Sequence, residues 1–282
     1  MIHLVTGKGG VGKSTVSAAL ALALSQKGQR TLLVELGERS FLRYLFHVQV
    51  GHEPILVQPN LSLALWDGEA CLREYLLHLL KVERLVGLFF DNRIMRALVQ
   101  AAPALKELAL LGKITSGERL VGPPLPYTHI VVDAYSTGHF RALWRAPRGM
   151  AKAIPFGPMG EQSRGMEAVI SNPQLTKFHV VATTDEMSVV EGLELASDIR
   201  AELKQESQLI LNRCIEVPSL ALASIANSTN DFAKYVGALS QRKGEAERKV
   251  NSAGFDLVEL PWLLEASGLQ KISELAKVLG AP

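Results

Sequence analysis

Residues Gly7-Lys8-Gly9-Gly10-Val11-Gly12-Lys13-Ser14-Thr15 fit the pattern G-x-x-x-x-G-K-[ST], and no other stretch constrains the fold as tightly. The pattern cradles phosphate when it joins a strand to a helix, and both flanks meet that condition. Ile2–Thr6 reads as a short buried strand, and Ser14–Gln26 as an Ala/Leu-rich helix closed by Gly28. Glycines let backbone N–H groups turn inward around a β-phosphate. The helix N-terminus adds partial positive charge, and Lys13 reaches the β/γ oxygens. Ser14 is expected to put its hydroxyl on Mg²⁺, with Thr15 close to the α-phosphate. Gly9, Gly10, Val11, Gly12, Lys13, Ser14 and Thr15 are thus the expected nucleotide-binding set. The competing reading is a Gly-rich strand–helix turn without a ligand.

The rest of the chain supplies a fold for that loop. Apolar strand-like runs recur at Ile2–Thr6, Thr31–Glu35, Leu61–Leu65, His129–Val132, Phe178–Thr183, Leu209–Leu211 and Asp256–Leu260, separated by helical patterns. Strands buried on both faces and alternating with helices predict an α/β fold: a mostly parallel sheet flanked by helices. At 282 residues one large domain over 1–282 is expected, with a helical subdomain inserted at about 67–120. The stretch Cys71–Ile114 is helical by pattern and carries Leu72, Leu76, Leu79, Leu80, Leu85, Leu88, Phe89, Phe90, Ile94, Met95 and Leu98. Its apolar side either packs on the sheet, the preferred reading, or offers a surface to a protein client. Gln241–Lys249, of mixed charge, reads as a solvated helix face.

Composition removes several function classes. A net charge of +2 with no basic stripe argues against a nucleic-acid partner. Cys71 and Cys214 are far apart and outside any C-x-x-C, which excludes a disulfide framework and a four-cysteine metal site. The seven histidines do not cluster at ligand spacing, and His3 and His129 read as edge or packing residues. Metal chemistry is therefore expected only as Mg²⁺ with the nucleotide. No run reaches transmembrane length, and Met1 leads straight into the first strand, so a cytoplasmic chain is expected. An apolar stripe of Leu269, Ile272, Leu275, Ala276 and Leu279 has only Lys271 and Lys277 beside it, which favours packing on the core over a lipid anchor. Membrane association is expected to be peripheral at most.

A second lysine, Lys8, narrows the class. K-G-G-x-G-K-[ST] resembles the deviant Walker A of the MinD and ParA partitioning ATPases, the nitrogenase iron protein and the ArsA-type ATPases. In those proteins this lysine crosses a dimer interface and neutralises charge on the nucleotide of the opposite subunit, as an arginine finger does. The alternative is a solvated loop lysine. After the strand His129–Val132 comes Asp133-Ala134-Tyr135-Ser136-Thr137-Gly138-His139-Phe140-Arg141-Ala142-Leu143, similar to the D-T-A-P-T-G-H-T-L-R-x-L segment of ArsA-type ATPases. That family includes the arsenite-pump ATPase and the factor that delivers tail-anchored membrane proteins. The resemblance implies that Asp133, at the strand tip, holds Mg²⁺ and that Gly138 and His139 belong to switch II, His139 as a brace. Thr183-Thr184-Asp185-Glu186-Met187-Ser188-Val189-Val190-Glu191 looks like the family's strand-to-helix segment. The resemblance further implies that Asn212, in Leu209-Ile210-Leu211-Asn212-Arg213, pairs with adenine, and that Pro261 and Trp262, in Leu260-Pro261-Trp262-Leu263-Leu264-Glu265, pack over the purine.

One segment departs from the family. Switch I there reads S-T-D-P-A-H-x-L-x-D-x-F, and a gapless alignment from Leu32 puts the acid that orients attacking water on Gly37. Glu35 and Glu38 flank it, and a shift of one or two residues would let either substitute. Loss of water positioning costs about 1.4 kcal/mol of barrier per decade of rate, while Mg·ATP binding is little affected. Robust nucleotide binding is thus expected, with slow hydrolysis of ATP to ADP and phosphate. Lys8, Lys13, Glu35 and Asp133 are the expected catalytic residues. The implied assembly is a homodimer, or a heterodimer with a related ATPase, whose closure rearranges the helical insertion around a client. A non-hydrolysing nucleotide-binding subunit and a MinD-like membrane switch are the alternatives.

Overall fold

A computed structural model of the chain describes residues 1–80, 103–122, 125–218, 221, 225, 228–264 and 266–280. Eight strands form one sheet: β1 (Ile2–Gly7), β2 (Thr31–Leu36), β3 (Ile55–Gln58), β4 (Leu61–Trp66), β5 (His129–Ser136), β6 (Thr176–Thr183), β7 (Ser207–Cys214) and β8 (Asp256–Pro261). Their order is β3-β4-β2-β5-β1-β6-β7-β8, and all neighbours are parallel except β3 with β4. Every residue of β1 and β2 is buried, which is why these strands read as mainly apolar runs and not as an alternation of apolar and polar residues.

Helices cover both faces. On one face α1 (Lys13–Gln26), the short α2 (Leu42–Phe46) and the last described helix, Gly268–Leu279, bury Val16, Leu20, Leu42, Ile272 and Leu275 against Val5, Leu33, Leu63 and Ile210. The other face carries α3 (Gly68–Leu80), α4 (Pro103–Ile114), α5 (Ser116–Arg119), α6 (Thr137–Ala153), α7 (Gly157–Ile170), α8 (Glu186–Leu203) and α9 (Asp231–Ser252). Their Leu72, Leu110, Phe140, Met166, Leu195 and Val250 close over Leu4, Leu32, Val132 and Phe178. The terminal helix, here α10, lies along α1. Its Ile272, Leu275 and Ala276 are buried, and Leu269 and Leu279 pack at the margin of the same core. That apolar stripe therefore holds the fold, the burial of each large side chain being worth about 1.5–3 kcal/mol.

All seven expected strands are present, and three details differ from the sequence reading. β3 was not anticipated; it is a half-buried edge strand that turns back through Asn60, at φ 61°, and leaves Leu56 in solvent. β5 runs to Ser136, so Asp133 lies inside the strand and not at its tip. The register accounts for this: β1 pairs Val5 with Asp133 but Gly7 with Ser136, and Thr6 Oγ1 donates to the Tyr135 carbonyl at 2.9 Å across the irregularity. Lastly, the Gln241–Lys249 face is not simply solvated. Lys243 pairs with Glu259 of β8 at 2.7 Å and Lys249 with Glu186 of α8 at 3.0 Å, tying α9 to its neighbours.

Within the expected insertion, α3, α4 and α5 lie between β4 and β5 and pack inward. Cys71, Leu72, Leu108, Leu110, Leu111 and Ile114 are all buried in the core beneath them. Leu85, Leu88, Phe89, Phe90, Ile94, Met95 and Leu98, and the side chains of Leu76, Leu79 and Leu80, lie outside the described residues.

At the N-terminal end of the strands, five polar side chains make a line across the sheet. His129 of β5 meets His3 of β1 (3.0 Å), His3 meets His179 of β6 (3.1 Å), and His179 meets Gln208 of β7 (3.1 Å). The Gln208 amide nitrogen donates to Asp256 of β8 at 2.8 Å. That last bond fixes the rest. Since Gln208 presents its oxygen to His179 Nδ1, this nitrogen donates; His179 Nε2 then accepts from His3 Nδ1, and His3 Nε2 accepts from His129 Nδ1. All three rings are neutral Nδ1–H tautomers. Burial is the main cause that holds His3 well below the ordinary histidine value, depresses His129, and brings His179 down to about 4. His3 and His129 are thus packing residues of central strands, not of an edge.

Candidate nucleotide site

The C-terminal end of the same strands carries the loop Gly7–Lys13, between β1 and α1. Gly7 is obligatory: at φ 145° it passes so close to β6 that a Cβ would stand 2.1 Å from the Val181 carbonyl oxygen. Gly12, at φ 95°, caps α1 without any side-chain hydrogen bond, and the first turn of α1 holds no acid. The first N–H groups of α1 are thereby left to an anion, which the helix dipole favours. Lys13 Nζ donates to the Lys8 carbonyl at 3.2 Å, so its ammonium lies folded over the loop. Burial lowers its pKa, partly offset by Asp133.

Beneath the loop, Asp133 is buried and faces α1. Ser17, one turn into α1, approaches its Oδ1 at 3.3 Å while also donating to the Lys13 carbonyl, and Ser14 lies near enough to draw the carboxyl's pKa down. Burial pushes the Asp133 carboxyl up to about 6, against the pull of Ser14. A hydroxyl and a desolvated carboxylate side by side are hard oxygen donors, and a magnesium ion bound there would offset the cost of burying the charge. Ser17 was not anticipated. The signal was present, since it is the one polar residue in the stretch Val16–Leu24 and lies three positions after Ser14.

Glu35, in register with Asp133 on β2, is spent on local structure. Its carboxylate accepts from Phe41 N at 2.6 Å, from Ser40 Oγ at 2.5 Å and from Leu42 N at 3.3 Å, capping α2. Glu38 is exposed. Gly37 sits at φ 143°, a region that L-residues rarely adopt. The backbone at this point therefore takes a glycine-only path, and an aspartate introduced at 37 would not simply restore the family's acid.

Gly138 and His139 form the first turn of α6, exposed, with the His139 ring edge-on to Tyr135 at 6.1 Å. The Lys8 ammonium pairs with Glu191 of α8 at 2.6 Å. Asn212 is buried; its amide nitrogen donates to the Val11 carbonyl at 2.8 Å and its oxygen accepts from Arg213 N at 3.0 Å. Pro261 ends β8, and Trp262, two-fifths exposed, donates its backbone N–H to the Cys214 carbonyl at 2.8 Å. The structure thus gathers Lys8, Lys13, Ser14, Asp133 and Asn212 around one loop. It gives Glu35 to the neighbouring segment and leaves Trp262 at the end of β8.

The sequence profile of the anion-transporting ATPase family, ArsA, matches residues 1–156, more than half of the chain. The chain belongs to the ArsA ATPase family. Its strand, loop and helix are the P-loop of an ATP-binding fold. Individual ArsA relatives match further along. ATPase BagA of Mycobacterium tuberculosis is 33% identical over 233 residues, covering 76% of this chain and 65% of that protein. A putative arsenical pump-driving ATPase of Halobacterium salinarum is 27% identical over 258 residues, or 84% of this chain and 39% of its own length. An arsenical pump-driving ATPase of Escherichia coli is 25% identical over 224 residues, covering 73% and 38% respectively. This chain thus spans under two thirds of the mycobacterial ArsA relative and well under half of the other two. Among the described residues no helix is long and apolar enough to cross a membrane.

Proposed function

We propose that the chain binds Mg·ATP at the P-loop, hydrolyses it slowly, and uses nucleotide to close two chains face to face, either as a homodimer or with a related ATPase. In this reading Lys13 holds the β/γ oxygens, and Ser14 and Asp133 hold the metal, which neutralises charge on the phosphates when bound. Lys8 reaches the nucleotide of the partner. Closure moves the helical segment 67–120 and with it a protein client. The work is placed in the cytoplasm, with peripheral membrane contact at most. The observation that carries this is the uncapped N-terminus of α1 with Lys13 folded over it and the buried Asp133 carboxylate, approached by Ser17, beneath.

The slow rate follows from switch I. Glu35 is occupied as a cap and Gly37 has no side chain, so neither of these positions supplies an acid to orient water, and only the exposed Glu38 is left beside them. This favours a second reading, a subunit that holds nucleotide without turnover. Titration with fluorescent ATP followed by phosphate release at saturating Mg·ATP separates the two. Slow release supports the first, tight binding without release supports the second, and absence of binding overturns both.

Two relatives carry names of arsenical pumps. Trivalent arsenic calls for clustered thiolates, whereas Cys71 and Cys214 are both buried, each thiol pushed up to about 12 mainly by that burial. An arsenical is therefore not the proposed cargo of this chain. A lipid anchor through α10 is not favoured either, because its apolar residues are used against α1.

A further inference from the structure

Asn212 is the residue for which the family resemblance and the geometry part company. An adenine reader must turn its amide outward, toward a base edge. Here Asn212 is 5% exposed as a residue, and one donor and one acceptor position of its amide are already taken inside the chain. The local backbone is built to aim it there. Pairing of β7 with β8 runs Leu211 to Glu259 and then Cys214 to Pro261, so Asn212 and Arg213 together stand opposite Leu260 in a bulge. Arg213 takes a left-handed conformation, φ 60°, and its N–H is held by the Asn212 oxygen. Alternation along β7, whose pairing with β6 is regular through Thr183 and Asn212, puts Asn212 on the face shared with Ile210, beneath the phosphate loop. The fit to the loop is close: a Cβ on Gly12 would stand 2.4 Å from the Asn212 amide nitrogen.

We infer that Asn212 is a positioning residue of the phosphate loop, which fixes the Val11–Gly12 peptide and so serves affinity for the triphosphate whatever base it carries. This rests on the reading that the loop binds a nucleoside triphosphate. Val11 and Gly12 immediately precede Lys13, so a donor that pins the Val11 carbonyl also fixes the direction in which the first amides of α1 point. Loss of that bond frees the peptide to rotate, and the phosphates lose preorganised donors while the base loses nothing. Choice of base then falls to other groups at the ends of β7 and β8.

Calorimetric titration of the whole chain with Mg·ATP, Mg·GTP and inorganic Mg·tripolyphosphate tests this. Asn212→Ala should weaken every one of these ligands that the parent binds by the same factor, about tenfold for one buried hydrogen bond, with any ATP-to-GTP ratio unchanged. Amide hydrogen exchange without nucleotide should rise at Gly9–Gly12, an effect that a base reader would not produce. Asn212→Asp keeps the shape but opposes an acceptor to the Val11 carbonyl, so it should show the same faster exchange and serves if the alanine variant fails to fold. A loss confined to ATP, with tripolyphosphate binding and loop exchange as in the parent, would overturn the inference and return Asn212 to the base. If the parent protein binds none of the three ligands, the nucleotide reading itself fails, a result distinct from either.

Discussion

The two ends of the sheet are made from the same rows of residues and do opposite things with them. On the α1 face, the β5 row runs His129, Val131, Asp133, and the β7 row runs Gln208, Ile210, Asn212; in both the middle residue is buried core. At the N-terminal end the polar members bond to one another from β5 across to β8, a line that closes on itself and ends at Asp256. At the C-terminal end Asp133, Ser14, Ser17 and Asn212 converge on a loop that leads into α1, whose N-cap, among the described residues, has no side-chain hydrogen bond. Buried polar groups that satisfy each other support a fold; buried polar groups around unsatisfied donors prepare for a ligand.

Breaking each end should therefore have separable consequences. Lys13→Ala gives the largest expected effect at the loop: ATP affinity should fall by about 100-fold or more, since a desolvated ammonium facing a triphosphate is lost. Among the described residues its side chain hydrogen-bonds only the Lys8 carbonyl, so the urea midpoint should barely move. A variant that binds ATP within a few-fold of the parent would remove the P-loop from the account.

The histidine line should answer to acid instead. His179 has its folded value brought down to about 4, and His3 and His129 are lowered as well, while the unfolded chain takes up protons near 6.5. A depressed value means that the folded state binds fewer protons. Stability is thus fully present above pH 6.5 and is lost as pH falls from there toward 4, at a cost of about 3 kcal/mol for His179 alone. Urea unfolding at pH 7.5 and pH 5 should show the drop. His179→Gln, less stable at neutral pH, should show a shallower one, with ATP affinity at pH 7.5 unchanged. An equal pH slope in parent and variant would mean that the line does not set acid stability.

Asp133→Asn sharpens the ligand side. Tightening of ATP binding by Mg²⁺ should shrink about tenfold, while binding in a chelator stays near the parent value, because in the proposed reading the carboxylate acts on the metal and not on the phosphates. Equal losses in both conditions would assign Asp133 a structural part like that of the histidines. Glu191→Gln should have the smallest effect. Its ion pair with Lys8 is partly exposed, and release of the lysine should strengthen nucleotide-dependent association by no more than about fivefold. A weakened association would mean that Glu191 acts as part of the interface.

Much of this contrast was legible in the sequence, and what escaped was non-local. The mainly apolar runs of β1 and β2 and the spacing Gly7 to Ser14 are local patterns, and they led directly to a parallel sheet with a P-loop. His3, His129 and His179 look isolated in sequence because strand order, not spacing, brings them together. Asn212 was readable as part of the site through the family resemblance, but its partner, the Val11 carbonyl, is distant in the chain and leaves no local mark. Glu35 illustrates the limit from the other side: it was a candidate base by alignment, and three short-range hydrogen bonds make it a cap. The edge strand β3 is short and half-exposed, and its apolar run Ile55-Leu56-Val57 was passed over.

The central claim is that nucleotide at one chain's loop is completed by Lys8 of another, and a mixing measurement tests it most directly. Light scattering is recorded with Mg·ATP on Lys8→Ala alone, on Lys13→Ala alone, and on an equimolar mixture. Neither variant should associate alone, while Lys8→Ala should bind ATP nearly as the parent does. The mixture should recover part of the parent's association, because one site per pair can draw Lys13 from the first chain and Lys8 from the second. Loss of ATP binding by Lys8→Ala monomers, with no recovery on mixing, would show that the lysine acts within its own chain and would contradict the face-to-face account.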